Sequence, residues 1–184
     1  MKASLVFLDE SAVLMSPLVR RTWQRRGCTP VLYERHRAHK KITIIAALCV
    51  PPSRERVHLY FQLHPERNIN AERVLDFLCH LLKQLRTPTI VLWDRLQAHR
   101  DRGVQEFIEF FPGLEAHFFP PYAPELNPAE YLWAYLKTNP LANFALYDLE
   151  TLASTTRRCA WSVQKTQSLL CSFINHSPLS LRLK

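Results

Sequence analysis

Apolar runs and the breaks between them divide the chain into alternating short strands and helices. Uninterrupted or β-branched apolar runs predict five strands, at residues 5–8, 41–50, 57–63, 89–93 and 114–119. The second and third runs flank a Pro51-Pro52 break, which favours an antiparallel pair. Apolar residues at three- and four-residue spacing predict helices from Asn70 to the Thr87-Pro88 break, and at 104–111, 127–137 and 149–173.

This order of elements predicts an α/β fold in which a mixed five-stranded sheet carries helices on its faces. A length of 184 residues suits one domain, 1–184, and no internal repeat or linker marks a second. In such folds ligands gather at the carboxyl edge of the parallel strands. The residues that follow each strand are therefore the first candidates for a functional site.

Asp9 and Asp94 take equivalent places, each directly after a short apolar run. If the two strands are parallel neighbours, the carboxylates converge and repel each other unless a cation lies between them. Carboxylate oxygens suit Mg²⁺ or Mn²⁺ better than Zn²⁺. The alternative is that each aspartate only caps the loop or helix after it.

Glu130 falls in the first turn of a predicted helix that begins at Asn127-Pro128. There it could reach back to the Asn127 backbone as a capping box, a purely structural role. It could equally point at the carboxyl edge of the sheet and join the two aspartates. Three carboxylates on three elements are enough to hold two metal ions for phosphoryl chemistry.

Composition excludes several other classes of site. Thirteen prolines against three glycines, with no G-x-G-x-x-G or G-x-x-x-x-G-K-[ST] string, argue against a glycine-rich phosphate loop. Five cysteines without a C-x-x-C pair indicate reduced thiols rather than disulfides or a zinc ribbon. No apolar run is long enough to span a membrane, and no secretory signal is present, so a cytoplasmic location is expected.

The positive charge is concentrated near the amino terminus. Residues 1–41 carry nine basic and three acidic side chains, a net +6 of the total +8. Such a face, with Trp23 and histidines between the cations, suits phosphate contact and base stacking; the alternative is a solvated hairpin. The predicted DNA-binding residues of this face are Arg20, Arg21, Arg25, Arg26, Arg35, Arg37, Lys40 and Lys41.

Four strings carry a family resemblance: FLDES at 7–11, Trp23 with Arg26-Gly27, VLWD at 91–94 followed by Ala98-His99, and PPYAPELNPAE at 120–130 followed by Trp133 and Lys137. Together they resemble the catalytic domain of DDE transposases of the mariner-related, bacterial insertion-sequence superfamily. The 35 residues between Asp94 and Glu130 match the spacing in this group. The resemblance covers roughly residues 5–137.

The resemblance implies a ribonuclease H-like fold and a site in which Asp9, Asp94 and Glu130 bind two Mg²⁺ or Mn²⁺ ions, with Asp9 bridging them. It implies DNA cleavage and strand transfer at transposon ends, by a homodimer in a synaptic complex associated with the bacterial nucleoid. Family members carry helix-turn-helix modules upstream to recognise DNA ends. Only eight residues precede Asp9, so we expect such a module to be absent and supplied by a separate polypeptide.

The sequence departs from the family at Arg95, which stands where an asparagine is usual. Arg95 either adds a cation beside the metals or turns outward to a DNA phosphate. His99 matches the family's histidine and is assigned to DNA contact, with orientation of the loop as the alternative; a lone histidine is more often a structural hydrogen-bonder. Glu10, Asn127 and Lys137 are expected to surround the metal ligands.

Two functions remain open from the sequence. The first is a metal-dependent DNA strand-cleaving and strand-transferring enzyme. The second is a catalytically inactive transposase remnant that only binds nucleic acid through its basic amino-terminal face. A ribonuclease H-like host nuclease is a weaker third reading, because the proline-rich loop at 120–128 does not favour it.

Overall fold

The computed structural model describes residues 2–16, 18–31, 40–143 and 148–184. Its strands are β1 (Ser4–Leu14), β2 (Lys41–Val50), β3 (His58–Pro65), β4 (Thr89–Trp93) and β5 (Leu114–Phe118). Its helices are α1 (Ala71–Gln84), α2 (Arg102–Phe110), α3 (Ala129–Thr138), α4 (Leu149–Lys165) and α5 (Gln167–His176). Short 3₁₀ turns at Gln97–Arg100 and Pro124–Leu126 precede α2 and α3.

The strands form one mixed sheet in the order β3-β2-β1-β4-β5. Strands β1, β4 and β5 run parallel, whereas β2 is antiparallel to both of its neighbours. This confirms the predicted mixed five-stranded sheet. In the described ranges no helix is both long and apolar enough to cross a lipid bilayer.

Two apolar layers cover the faces of the sheet, and β1 contributes to both because successive side chains of a strand point to opposite faces. Val6 and Leu8 pack in the layer that contains α1 and α2. Phe7 packs in the other layer, with side chains of α3, α4 and α5. By the same alternation Asp9 faces α3, and Glu10 faces the opposite side of the sheet.

β1 is longer than the sequence pattern predicts. The apolar run ends at Leu8, but the strand continues to Leu14 because β2 pairs with it along its whole length, from Leu5↔Val50 to Leu14↔Lys41. The parallel neighbour β4 pairs with β1 only from Ser4 to Phe7. Asp9 therefore lies within β1, beside the point where β4 has already ended.

The predicted helix at 149–173 is in fact two helices separated at Thr166. Thr166 leaves the helical conformation, with φ −102° and ψ 88°, while its N–H bonds to the Val163 carbonyl and its hydroxyl bonds to the Ser162 carbonyl. Such local bonds from a hydroxyl side chain compete with helix continuation. Because of this break, the Gln167 amide reaches Val57 at the edge of the sheet, at 2.7 and 3.0 Å.

Candidate active site

Asp9 and Asp94 meet at the carboxyl edge of the two central parallel strands. The register of β1 with β4 runs from Ser4↔Thr89 to Phe7↔Leu92, and the two aspartates stand two residues further along each chain. Both line a pocket of about 400 Å³. Glu130, at the start of α3, lines the same pocket. The structure thus brings together the three carboxylates that the sequence singles out.

Asp9 is the most buried of the three, with 7% of its surface exposed. The Trp133 indole N–H, one helical turn after Glu130, donates to Asp9 Oδ2 at 2.8 Å. Burial raises the pKa of Asp9 from 3.8 to about 7; the Trp133 hydrogen bond opposes this rise, and the Glu130 and Glu10 charges add to it. None of the groups that shift this pKa is a cation, so the Asp9 carboxylate has no cationic partner among the described residues.

Glu130 is positioned by the turn that precedes α3. The Asn127 side-chain oxygen accepts the Ala129 N–H at 3.1 Å, and the Asn127 carbonyl accepts the Glu130 N–H at 3.0 Å. The Asn127 amide also approaches the Leu8 carbonyl, at 3.5 Å, beside Asp9. The reciprocal half of a capping box is not formed, because the Asn127 N–H donates to Pro124. Glu130 remains exposed in the pocket.

Asp94 is held through a single carboxylate oxygen. Oδ1 accepts the Leu96 N–H at 2.9 Å and contacts His99 Nδ1 at 3.0 Å. Within the described residues Oδ2 has no hydrogen-bond partner. The His99 hydrogen bond lowers the pKa of Asp94, partial burial opposes this, and the Leu96 N–H lowers it further. Asp94 is therefore an anion that keeps one oxygen for a ligand in the pocket.

His99 is fully buried and bridges the two acidic strand ends. Its Nε2 lies 2.9 Å from Glu10 Oε1, its Nδ1 contacts Asp94, and its ring stacks on Trp93 with centroids 4.3 Å apart. Burial alone would lower the pKa of His99, but the hydrogen bonds to Asp94 and Glu10 raise it to about 9. The predicted DNA contact is not possible for a side chain with no exposed surface. The structure instead supports the alternative, orientation of the loop.

The carboxylate oxygens of the pocket suit a hard divalent cation, whereas the group around His99 does not. Glu10, Asp94 and His99 have ligand atoms within 4.8 Å of one another, but both ring nitrogens of His99 are already engaged. Asp9, Asp94 and Glu130 do not form so tight a group, as expected for carboxylates that repel each other. Exposed carboxylate oxygens beside a buried carboxyl of raised pKa are a suitable site for Mg²⁺ or Mn²⁺.

Arg95 lines the pocket next to Asp94 and is exposed. Its guanidinium carbon lies 6.0 Å from the centre of the Phe118 ring, a cation–π distance. The side chain therefore leans over β5 at the pocket rim. From there it can meet a phosphate that approaches the carboxylates.

The predicted DNA-binding residues of the amino-terminal segment lie in several environments. Arg21, Arg25 and Arg26 are exposed in an irregular stretch, 18–31. Arg20 is tied down, since Nη1 donates to the Thr138 carbonyl at 2.8 Å and its backbone exchanges two hydrogen bonds with the Asn143 side chain.

The rest of the basic face is described only in part. Lys40 pairs with Glu66 at 3.1 Å, and Lys41 is the half-buried first residue of β2. Arg35 and Arg37 lie outside the described residues, so the structure says nothing of their position. Among the described residues of this face, the exposed cations whose side chains have no partner are thus Arg21, Arg25 and Arg26.

Lys137 lies apart from the carboxylates. It shares the α3 face of Glu130, but two helical turns separate them, about 10 Å along the axis. Lys137 instead lines a different hollow, together with Val13, Leu14 and Leu152. The Lys137 side chain is therefore not found beside the three carboxylates, whereas Glu10 is next to Asp9 in the chain and Asn127 approaches the Leu8 carbonyl beside it.

Two side chains of the site were not assigned to it from the sequence. Trp133 is 4% exposed and packs in the core, but its indole N–H also donates to Asp9. Its position one helical turn after Glu130 is the signal that could have indicated this contact. Tyr122 lines the pocket with its side chain fully exposed and its backbone at φ 59°. No spacing rule distinguishes it from other loop aromatics.

Comparison with known proteins gives a consistent family and fold. A family model described as DDE superfamily endonuclease matches residues 4–153. No curated protein sequence matches the chain significantly. Among solved structures, the Mos1 mariner paired-end complex with Mn matches with a TM-score of 0.70 at 22% identity, over 95% of this chain and 52% of that one. The Mos1 paired-end complex with the left transposon end matches with a TM-score of 0.69 at 22% identity, over the same shares.

The isolated catalytic domain of Mos1 mariner transposase matches with a TM-score of 0.62 at 18% identity, over 95% of this chain and 76% of that one. The chain thus has the ribonuclease H-like fold of that domain, and it spans about half the length of the Mos1 chains in the paired-end complexes. The family model covers most of the chain and includes Asp9, Asp94 and Glu130. This protein therefore belongs to the DDE superfamily endonuclease family.

Proposed function

We propose that this chain is the catalytic domain of a transposase, which cleaves DNA and transfers strands at transposon ends with the help of two divalent metal ions. The observation that carries the proposal is the meeting of Asp9, Asp94 and Glu130 in one open pocket at the carboxyl edge of the sheet. The Mos1 neighbours, which include complexes with a transposon end and with Mn or Mg, support it.

Asp9, Asp94 and Glu130 would hold the ions. Bound Mg²⁺ or Mn²⁺ would activate a water or a DNA 3′-hydroxyl for attack on a phosphodiester and stabilise the leaving oxygen. Trp133 keeps the Asp9 carboxylate in place from one face of the sheet, and His99 keeps Asp94 in place from the other. Arg95 at the rim would bind a phosphate of the DNA backbone.

We further propose that two copies act together on a pair of DNA ends and that recognition of the end sequence comes from a helix-turn-helix segment outside residues 1–184. The basis of the second proposal is that the described secondary structure is accounted for by one sheet and its covering helices. The substrate implies action at the bacterial nucleoid. The inactive remnant, which only binds nucleic acid, stays as the competing function.

Nicking of supercoiled plasmid DNA in Mg²⁺ or Mn²⁺ tests the enzymatic function. We expect the wild-type chain to produce open circles and Asp94→Asn to be at least about 100-fold slower, because the amide removes one anionic ligand. Asp101→Asn is the matched control, since Asp101 only caps α2 through Gly103 and asparagine caps equally well. Equal nicking by Asp94→Asn would contradict the proposal. No nicking by either chain, with salt-sensitive DNA binding retained, would favour the inactive remnant.

Neutralising the exposed cations of the amino-terminal segment tests its role in DNA binding. The combined change Arg21→Gln, Arg25→Gln and Arg26→Gln should weaken binding to random-sequence duplex DNA and reduce the slope of log K against log salt by up to about 3, because each phosphate contact releases about one counterion. The measurement is fluorescence anisotropy from 50 to 200 mM salt. A triple change at the exposed Arg67, Arg86 and Arg182 is the control. An equal loss in both triple variants would mean that net charge, rather than this segment, binds DNA.

A further inference from the structure

Strand β3 forms an outer edge of the sheet, and glutamine side chains occupy only the first part of that edge. The Gln167 amide accepts the Val57 N–H at 3.0 Å and donates to the Val57 carbonyl at 2.7 Å. The Gln164 amide donates to the Leu59 carbonyl at 2.7 Å. Side-chain amides thus take the place of a sixth strand at these two residues.

The same edge is open further along. In an antiparallel pair, alternate residues direct their backbone groups to the same side, so Phe61 and Leu63 share the outward orientation of Val57 and Leu59. Within the described residues the backbone N–H and C=O groups of Phe61 and Leu63 have no hydrogen-bond partner. An exposed row of this kind is a template for another strand.

A groove of about 620 Å³ runs along this open segment, between α1 and α4. On the α1 side it is polar, with Gln62, His64, Asp76 and His80. Gln62 Oε1 and His64 Nε2 are buried there without a partner among the described residues, which is unusual for buried polar atoms. On the α4 side, Trp161 is half exposed beside Phe61 and Leu63.

We propose that this groove binds an extended peptide segment of a partner protein, which pairs with the edge of β3 at Phe61 and Leu63 as a sixth strand. Side chains of an added strand alternate between the two walls. Those facing α1 are hydrogen-bonding residues that contact the exposed side chains of Asp76 and His80. Those facing α4 are apolar and cover Trp161. The partner segment therefore alternates polar with apolar residues.

Two other occupants fit the groove less well. Its charged lining includes Arg157 and Asp76, which offset each other, whereas a nucleic-acid groove is strongly basic. A second copy would have to bring its own α1 and α4 along with its β3 edge, because that edge lies between the same two helices. A single extended strand meets neither obstacle.

Binding of short peptides tests the inference. The probe is a library of eight-residue peptides, blocked at both ends, that alternate polar with apolar residues; the best binder is then measured by fluorescence anisotropy. We expect micromolar affinity and at least a 10-fold loss in Leu63→Pro, which removes an outward N–H together with the Leu63 side chain. Leu63→Ala, which removes the side chain but keeps the N–H, is the matched control and should lose less. Trp161→Ala should also weaken binding, whereas Phe110→Ala, an exposed aromatic on α2, should not.

Methylation of alternate backbone nitrogens of the bound peptide gives a second measurement that does not depend on how well Leu63→Pro folds. Methylation of one alternate set of nitrogens should abolish binding, since these carry the N–H groups that the added strand donates to β3. Methylation of the other set, whose N–H groups point away from β3, should not. Absence of any binder below millimolar concentration, or equal binding of the two methylated peptides, would overturn the proposal. So would a dimer of the wild-type chain that Leu63→Pro dissociates, because the occupant would then be a second copy.

Discussion

Asp9→Asn should make the metal-free chain more stable at pH 8 while it removes DNA cleavage. The buried Asp9 carboxyl has its pKa raised from 3.8 to about 7, with burial as the largest cause. At pH 8 the folded chain therefore carries a negative charge on the buried Asp9 side chain. A pKa shift of about three units lowers the free energy of unfolding by about 4 kcal/mol. An amide keeps the shape and can still accept from Trp133, without the charge.

The sign of the pH dependence follows from proton uptake. Between pH 4 and pH 7 the folded chain holds the Asp9 proton and the unfolded chain has lost it, so this residue's contribution to stability falls as pH rises. The difference in unfolding free energy between Asp9→Asn and wild type should therefore grow from pH 4 to pH 7 and level off above. Thermal unfolding across this range, without divalent metal, measures it.

Addition of Mg²⁺ supplies the internal control for this prediction. At pH 8 the ion should stabilise wild type, because it binds the folded carboxylates, and should stabilise Asp9→Asn much less. A variant no more stable than wild type at pH 8 would show that the Asp9 charge does not destabilise the fold. A variant that Mg²⁺ stabilises as much as wild type would show that Asp9 is not a metal ligand.

His99→Gln should lower both the stability of the chain and the affinity of the pocket for metal. Glu10 has only 9% of its side chain exposed and would lose its cationic partner, because a glutamine amide is neutral; the loss is up to about 3–5 kcal/mol for a broken buried pair. Asp94 would lose the contact that orients it, and changes of this kind reduce metal affinity or activity by about 10–100-fold. Calorimetric titration with Mn²⁺ and plasmid nicking measure the two effects.

A second substitution separates the two roles of His99. Adding Glu10→Gln to His99→Gln removes the unpaired buried charge, so we expect much of the stability to return. Metal affinity should stay low, because Asp94 still lacks its contact. If metal affinity returns together with stability, His99 only supports the fold and does not position Asp94.

The sequence was sufficient for the sheet and for the three carboxylates because both depend on local patterns. Apolar runs mark buried strands whatever surrounds them, and Asp9 and Asp94 follow such runs directly. The full length of β1 could not be predicted from its apolar run. Its second half is kept in the sheet by pairing with β2, an interaction between residues far apart in the chain.

The side chains that hold the carboxylates were harder to assign for the same reason. His99 resembles a DNA contact when its surroundings are unknown, and only its burial against Trp93 and Glu10 shows otherwise. The break at Thr166 likewise depends on bonds of its own turn and leaves the heptad-like apolar spacing of 149–173 unchanged. The pattern of residue types shows where a side chain lies on its own helix or strand, but not which side chain from a distant part of the sequence it contacts.

Asp9 and Glu10 are chemically similar neighbours that the pleat of β1 sends to opposite sides of the sheet. Asp9 meets Trp133, and Glu10 meets His99. Exchanging the two would leave composition and net charge unchanged, yet it would direct the longer acid at the indole and leave the shorter one facing the imidazole. The order of two adjacent acids, and not their number, decides which one lines the pocket and which one pairs with the buried His99.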